Sequence, residues 1–143
     1  MPGIVLDTDV VSEPRRRVAD PSVVAWYTRH SADQLFLTST VVAELALGIE
    51  LLPAGRRRGG FEEWLASRVI GLFAGRILPF EVADAMIFGR LMASARRQGR
   101  PARVGDAEIA AVVLRHGLAL ATRNVVDFGA FGVPVINPWQ DPD

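Results

Sequence analysis

Residues 4–13 read Ile4-Val5-Leu6-Asp7-Thr8-Asp9-Val10-Val11-Ser12-Glu13. Three apolar residues run directly into the first acid. A short apolar run of this kind is the pattern of a strand buried on both faces of a parallel sheet. In open α/β sheets, ligands sit in the crevice beyond the carboxyl ends of the strands. That rule puts Asp7 at a functional edge, with Thr8 and Asp9 in the turn that follows it.

Working outward, strands and helices alternate. Pro21 opens a short helix through Val24, Ala25, Tyr27 and Thr28, because proline suits a first helical turn. Leu35–Thr38 is the second strand. Ser39 or Thr40 caps the next helix, which runs to about Leu52. Pro53–Gly60 reads as a basic, glycine-rich loop, and Phe61–Phe73 as an amphipathic helix. Arg76–Phe80 is a short third strand. A long helix spans Glu81–Gln98, with Ala85, Ile87, Phe88, Leu91 and Met92 packed and Arg96 and Arg97 suiting its C-terminal dipole. A further helix spans about Gly105–His116 and ends at Gly117. Leu118–Ala121 is the fourth strand, Val125–Phe128 a single helical turn, and Val133–Ile136 the last strand. The expected fold is α/β: one Rossmann-like domain over residues 1–143, a central parallel sheet with helices on both faces.

Composition removes several classes of function. The chain has 143 residues, half of them apolar, and no cysteine. A disulfide framework and thiolate metal sites are therefore excluded. No apolar run approaches a membrane span, and no signal peptide precedes Asp7, so the cytoplasm is the expected compartment. All sixteen basic residues are arginine, and sixteen acids balance them to a net charge of zero. Lysine-dependent chemistry is excluded, and overall attraction to nucleic acid is not predicted. The run Arg15–Arg17 reads as a solvated loop. Mean hydropathy is positive, which points to a buried oligomer or partner surface.

The acids are the informative residues. Glu44 lies beside the apolar face formed by Val41, Val42, Leu45, Ile49 and Leu52, with Gly48 leaving room next to it. Asp106 opens its helix on the row of Ile109, Ala110 and Val113, so it begins the buried face. Glu50 and Glu108 point elsewhere, and Asp84 serves the dipole of the long helix. Asp7–Asp9, Glu44, Asp106 and Thr122–Asn124 fall at strand ends or early in helices and can face one crevice. Clustered carboxylates repel one another and are costly to bury unless a cation sits among them. The donors are oxygen only, and His30 and His116 lack a ligand spacing. That set suits Mg2+ or Mn2+ rather than zinc, and such a site can activate water and orient a phosphodiester.

The stretches LDTDVVSE, TVVAELALGIELL, FAGRILPF, DAEIAA, LATRNVVDF and VINPW, in this order from about Ile4 to Trp139, resemble the PIN-domain proteins. They are most like the VapC and FitB type, the toxin halves of bacterial toxin–antitoxin pairs. The resemblance implies a metal-dependent ribonuclease with Asp7, Glu44 and Asp106 as its acidic set and Mg2+ or Mn2+ among them. It also implies a homodimer neutralised by a small VapB- or FitA-like antitoxin that has a DNA-binding domain. Leu45, Ile49, Leu52, Phe61, Trp64 and Leu65 offer the apolar surface for a dimer contact and for the antitoxin. Two positions depart from the family pattern. Asp9 stands where asparagine is usual, and Asn124 where some relatives have a fourth aspartate. Asn124 is then a neutral ligand or hydrogen-bond donor, Asp127 either a candidate for the missing charge or a residue that only satisfies backbone amides in its turn, and Thr8 and Thr122 accessory hydroxyls.

A different enzyme class shares the opening motif. Asp7-Thr8-Asp9-Val10-Val11 fits D-x-D-x-V, similar to the first motif of haloacid-dehalogenase-like phosphatases, with Asp7 as nucleophile. The missing lysine, the lack of a downstream acidic pair and the short chain argue against it. A PIN fold that is catalytically weak and only binds RNA or a partner is the non-enzymatic alternative.

Overall fold

The computed structural model describes residues 3–140. Strand β1 covers Ile4–Leu6, β2 Leu35–Thr38, β3 Ile77–Leu78, β4 Ala119–Ala121 and β5 Val135–Ile136. They form one five-stranded sheet in the order β3-β2-β1-β4-β5, and every pairing is parallel. The chain builds outward from β1 through β2 to β3, then returns to the other side of β1 with β4. The order therefore reverses between β1 and β4. That switch point is where an open sheet leaves a crevice at its carboxyl edge.

The helices are α1 (Thr8–Ser12), α2 (Pro21–Thr28), α3 (Ser39–Glu50), α4 (Arg56–Trp64), α5 (Val82–Arg97), α6 (Val104–Arg115) and α7 (Val125–Ala130). Helix α4 continues as a π-helical segment, Leu65–Gly71. Val5, Leu6, Leu120 and Ala121 in the central strands are wholly buried, as are Ile109, Ala110 and Val113 of α6. Each full burial of a side chain such as Val5 or Leu6 contributes about 1.5–3 kcal/mol. This core fixes β1, β4 and α6 relative to one another, and all three carry site residues at one end.

Several local expectations are corrected. Thr8 and Asp9 are helical rather than in a turn, because Asp7 caps α1 by accepting from the Thr8 backbone N–H. The cap of α3 is Thr38, whose hydroxyl accepts from Val41 N at 3.1 Å; Ser39 and Thr40 already lie inside the helix. Arg56–Gly60 is helical rather than a loop. Arg58 ties this turn to Glu50 at 2.7 Å and to Glu62 at 3.7 Å, which offsets the low propensity of the two glycines. Strand β3 is confined to Ile77–Leu78. Ala85 is exposed, whereas Phe88, Leu91 and Met92 pack against the core as expected. Asp84 is structural, as expected. Its buried carboxylate accepts from Glu81 N and from Arg115, joining α5 to α6.

Candidate functional site at the sheet switch point

Asp7 ends β1 and is only 8% exposed. The register places it beside β4, with its own N–H donating to Ala121 O at 2.9 Å. Both carboxylate oxygens are engaged: Oδ1 accepts from Thr8 N at 2.8 Å and Oδ2 from the Thr122 hydroxyl at 2.7 Å. Burial pushes its pKa up, helped by the negative charges of Asp9 and Asp106, and the two hydrogen bonds only partly oppose them. The result is about 6, against 3.8 for an ordinary aspartate. Thr122 is wholly buried and also accepts from Asn124 N at 3.0 Å. One hydroxyl thus joins the β4 turn to the β1 acid.

Glu44 comes from α3. Its Oε1 accepts from the Thr8 hydroxyl at 2.6 Å. Gly105, one residue before Asp106, lets α6 approach this carboxylate: a Cβ there would lie 2.9 Å from Glu44 Oε2. Asp106 is 6% exposed. Burial raises its pKa; Arg103 opposes this, and Glu44, Asp127 and Asp9 reinforce it. Asp9 projects from the first turn of α1 and accepts from Arg123 N at 3.1 Å through Oδ2. Its Oδ1 is buried and has no hydrogen-bond partner. Burial raises the Asp9 pKa as well, with the Arg123 N–H opposing.

Asp7, Thr8, Asp9, Glu44, Asp106, Asn124 and Arg103 line one cavity of about 350 Å3. The structure therefore brings together Asp7, Glu44, Asp106 and Asn124. It does not bring Asp127 in. Asp127 is exposed, accepts from Asn124 Nδ2 at 3.1 Å, and lines a neighbouring cavity that also includes Asp106. The spacing of one helical turn was right, but the side chain reaches Asn124 rather than the acidic recess. Sequence reading missed Arg103, the one cationic side chain lining the acidic cavity among the described residues. Its position one turn before Asp106 at the start of α6 was an available signal.

The donor set fits a hard divalent cation: oxygen ligands only, three acids with raised pKa values, and an orphaned buried carboxylate oxygen. Among the described residues, no three histidine or acidic side chains are drawn together tightly enough to hold a metal as they stand. Carboxylates that repel one another close up only when a cation neutralises them.

The fold and site together define a parallel α/β protein with an acidic recess at its switch point. A family model described as the PIN domain matches residues 4–128, and the chain belongs to the PIN-domain family. It is 40% identical over 138 residues to toxin FitB of Neisseria gonorrhoeae, covering 96% of this chain and 99% of that protein. It is 39% identical over 137 residues to VapC ribonuclease Y4jK of Sinorhizobium fredii, covering 96% and 98%. Among solved structures, FitAB bound to an IR36 DNA fragment contains a chain that superposes with a TM-score of 0.91 at 36% identity, covering 98% of both chains. Among the described residues no helix is long and apolar enough to cross a membrane.

Gly105 gives a direct probe of the site. Gly105→Ala is expected to displace the Glu44 carboxylate and slow RNA cleavage about tenfold, without lowering the melting temperature, because alanine favours the helix by up to about 1 kcal/mol. A cleavage time course and a thermal melt of the same preparation check both halves.

Proposed function

We propose that this protein is a divalent-metal-dependent endoribonuclease, the toxin of a VapBC-type toxin–antitoxin pair. The observation that carries the reading is the convergence of Asp7, Glu44, Asp106 and Asn124 on one recess at the switch point. The FitB and VapC relatives, matched over nearly their whole length, support it.

In this reading Asp7 and Asp106 hold Mg2+ or Mn2+, with Glu44 direct or through water. The bound cation supplies Lewis-acid stabilisation of the phosphodiester and lowers the pKa of water. Thr122 and the Thr8 N–H hold the Asp7 carboxylate in one orientation where it lines the recess. Thr8 does the same for Glu44 through its hydroxyl. Asn124, held by Asp127, presents a neutral amide to a phosphate oxygen or a bound water. Asp127 keeps Asn124 in place and is not itself a ligand.

A small antitoxin with a DNA-binding domain is the proposed partner, supported by the solved FitAB complex on DNA. Exposed Val82 and Met86 on α5 and Leu47 and Leu51 near the end of α3 support a homodimer. Of the apolar residues expected to serve partners, Leu45 and Ile49 are buried, and Leu52, Phe61, Trp64 and Leu65 are half-buried.

The test is cleavage of a structured RNA with single-stranded loops, in Mg2+, in Mn2+ and with chelator. Asp106→Asn is expected to lower the rate at least a hundredfold, as loss of a metal ligand does. Cleavage that persists in chelator, or full activity in Asp106→Asn, would reject the mechanism.

A further inference from the structure

Asp9 lines the same cavity as Asp7, Glu44, Asp106 and Asn124, yet its two oxygens are in different states. Oδ2 accepts from Arg123 N at 3.1 Å, which ties the first turn of α1 to the turn after β4. Oδ1 is fully buried and meets no donor at hydrogen-bond geometry. The other buried side-chain atoms without partners, among the described residues, are the indole nitrogens of Trp26 and Trp139. Asp9 therefore holds the one orphaned buried acceptor. A charged oxygen buried in this way is costly, and it calls for a water or an ion.

No ion pair cancels the Asp9 charge among the described residues. Arg123 gives Asp9 its backbone N–H. Its guanidinium lies over the Trp139 ring, 4.0 Å from the centroid, and acts on Asp9 only through space. The Asp9 charge is in turn felt at both Asp7 and Asp106. On the β4 side, Asn124 brings a neutral amide whose Nδ2 is spent on Asp127. Asp9 is thus anchored one residue from Asn124, where the recess has an oxygen ligand without a charge. An acid in a first helical turn also suits the helix dipole. That role does not account for a buried Oδ1 on a helix of only five residues.

We infer that Asp9 is the fourth acid of the cation site, supplying from α1 the negative charge that Asn124 does not bring from the β4 turn. The inference rests on the metal-dependent reading and deepens it. Affinity for a hard cation rises with the charge count of its oxygen ligands. A charge that serves the cation in this way can be moved within the recess. A carboxylate at position 124 should therefore replace the one at position 9.

The experiment is calorimetric titration of Mn2+ into the full chain at pH 8. Asp9→Asn keeps an oxygen for the Arg123 N–H but loses the charge, and should bind Mn2+ about tenfold more weakly. Asp9→Asn/Asn124→Asp should bind within about threefold of the wild type, because the charge is restored. Asp127 is exposed and can turn to solvent when the Asn124 amide is gone. Glu63→Gln, which removes an exposed charge from α4, should bind as the wild type does. Thermal melts give a second readout. Metal-free Asp9→Asn should melt no lower than the wild type, because carboxylate repulsion is relieved, and Mn2+ should raise its melting temperature less. Wild-type affinity in Asp9→Asn, no recovery in the exchanged variant, or equal weakening by Glu63→Gln overturns the inference while the wild-type site stands. A wild type that binds no Mn2+ overturns the metal reading and this inference together.

Discussion

Asp7→Asn is expected to abolish RNA cleavage, by a factor of about a thousand or more, and at the same time to make the metal-free protein more stable. Both effects come from one cause. The Asp7 carboxylate is held in a buried recess beside Asp9 and Asp106, which raises its pKa from 3.8 to about 6. A raised pKa in an acid means that the folded state binds its proton more tightly than the unfolded chain does. The native protein therefore holds more protons than the unfolded one between about pH 4 and pH 6, and stability falls as pH rises through that window. Above pH 6 the loss is complete, on the order of 3 kcal/mol for a shift of this size. Asparagine removes the charge but can still accept one hydrogen bond, from Thr8 N or from the Thr122 hydroxyl. Part of the gain is offset by the bond it cannot make, leaving about 1–2 kcal/mol of added stability at pH 7.5. Urea unfolding of the metal-free protein at pH 4.5, 6 and 7.5 checks this. The wild type should lose stability across the series relative to Asp7→Asn. Parallel curves for the two proteins would mean that Asp7 carries no such strain.

The second large effect is on folding. Asp84→Ala should cost about 3 kcal/mol, as breaking a buried ion pair does, and lower the melting temperature by about 10 °C. Asp84 is wholly buried at the start of α5. Burial alone would raise its pKa, but the Arg115 hydrogen bonds, the Glu81 N–H and the Arg115 charge together hold it below the usual value. Its stabilisation is present above the unfolded pKa and is lost as pH falls through the lower folded one. Removing the carboxylate leaves the Arg115 guanidinium, whose side chain is only 28% exposed, with Glu81 alone at 3.5 Å, and takes away the Asp84 half of the capping box at the start of α5. Arg115 lies nine residues after Asp106, about 13 Å along α6, so cleavage by the folded fraction should be unchanged. Denaturant titration and a rate normalised to folded protein separate the two quantities. The double variant Asp84→Ala/Arg115→Ala should cost less than the sum of the single changes. A strictly additive result would mean that the two side chains do not hold α5 to α6.

What was legible in the sequence follows from how local each signal is. Ile4–Leu6 reads as a strand because three apolar residues ending in an acid have few other uses, and the parallel sheet confirms it. Asp106 reads as inward-facing because Ile109, Ala110 and Val113 fix the buried row of its helix. The start of α4 was illegible for the opposite reason. Arg56–Gly60 has loop composition, and its helix depends on Arg58 reaching Glu50, eight residues earlier in the chain. The cap of α3 was misplaced by two residues at most because Thr38, Ser39 and Thr40 all carry hydroxyls, and only the backbone geometry selects Thr38. Asp127 shows the limit for site residues. Its spacing from Asn124 allows either an inward carboxylate or a hydrogen bond to the Asn124 amide, and packing makes the choice. Arg103 stands three residues before Asp106, which the sequence shows, but that both line one cavity is a property of the folded chain.

The central claim is that Asp7, Glu44 and Asp106 bind a divalent cation in the recess. Calorimetric titration of Mn2+ into the protein at pH 6 and pH 8, each in two buffers of different ionisation enthalpy, tests it most directly. Metal binding to a carboxylate that is half protonated must release its proton. The account predicts one site that releases about half a proton or more at pH 6 and almost none at pH 8, with Asp7→Asn binding at least tenfold more weakly and releasing none from this position. Mn2+ binding with no proton release at pH 6, or binding unchanged by Asp7→Asn, would contradict it.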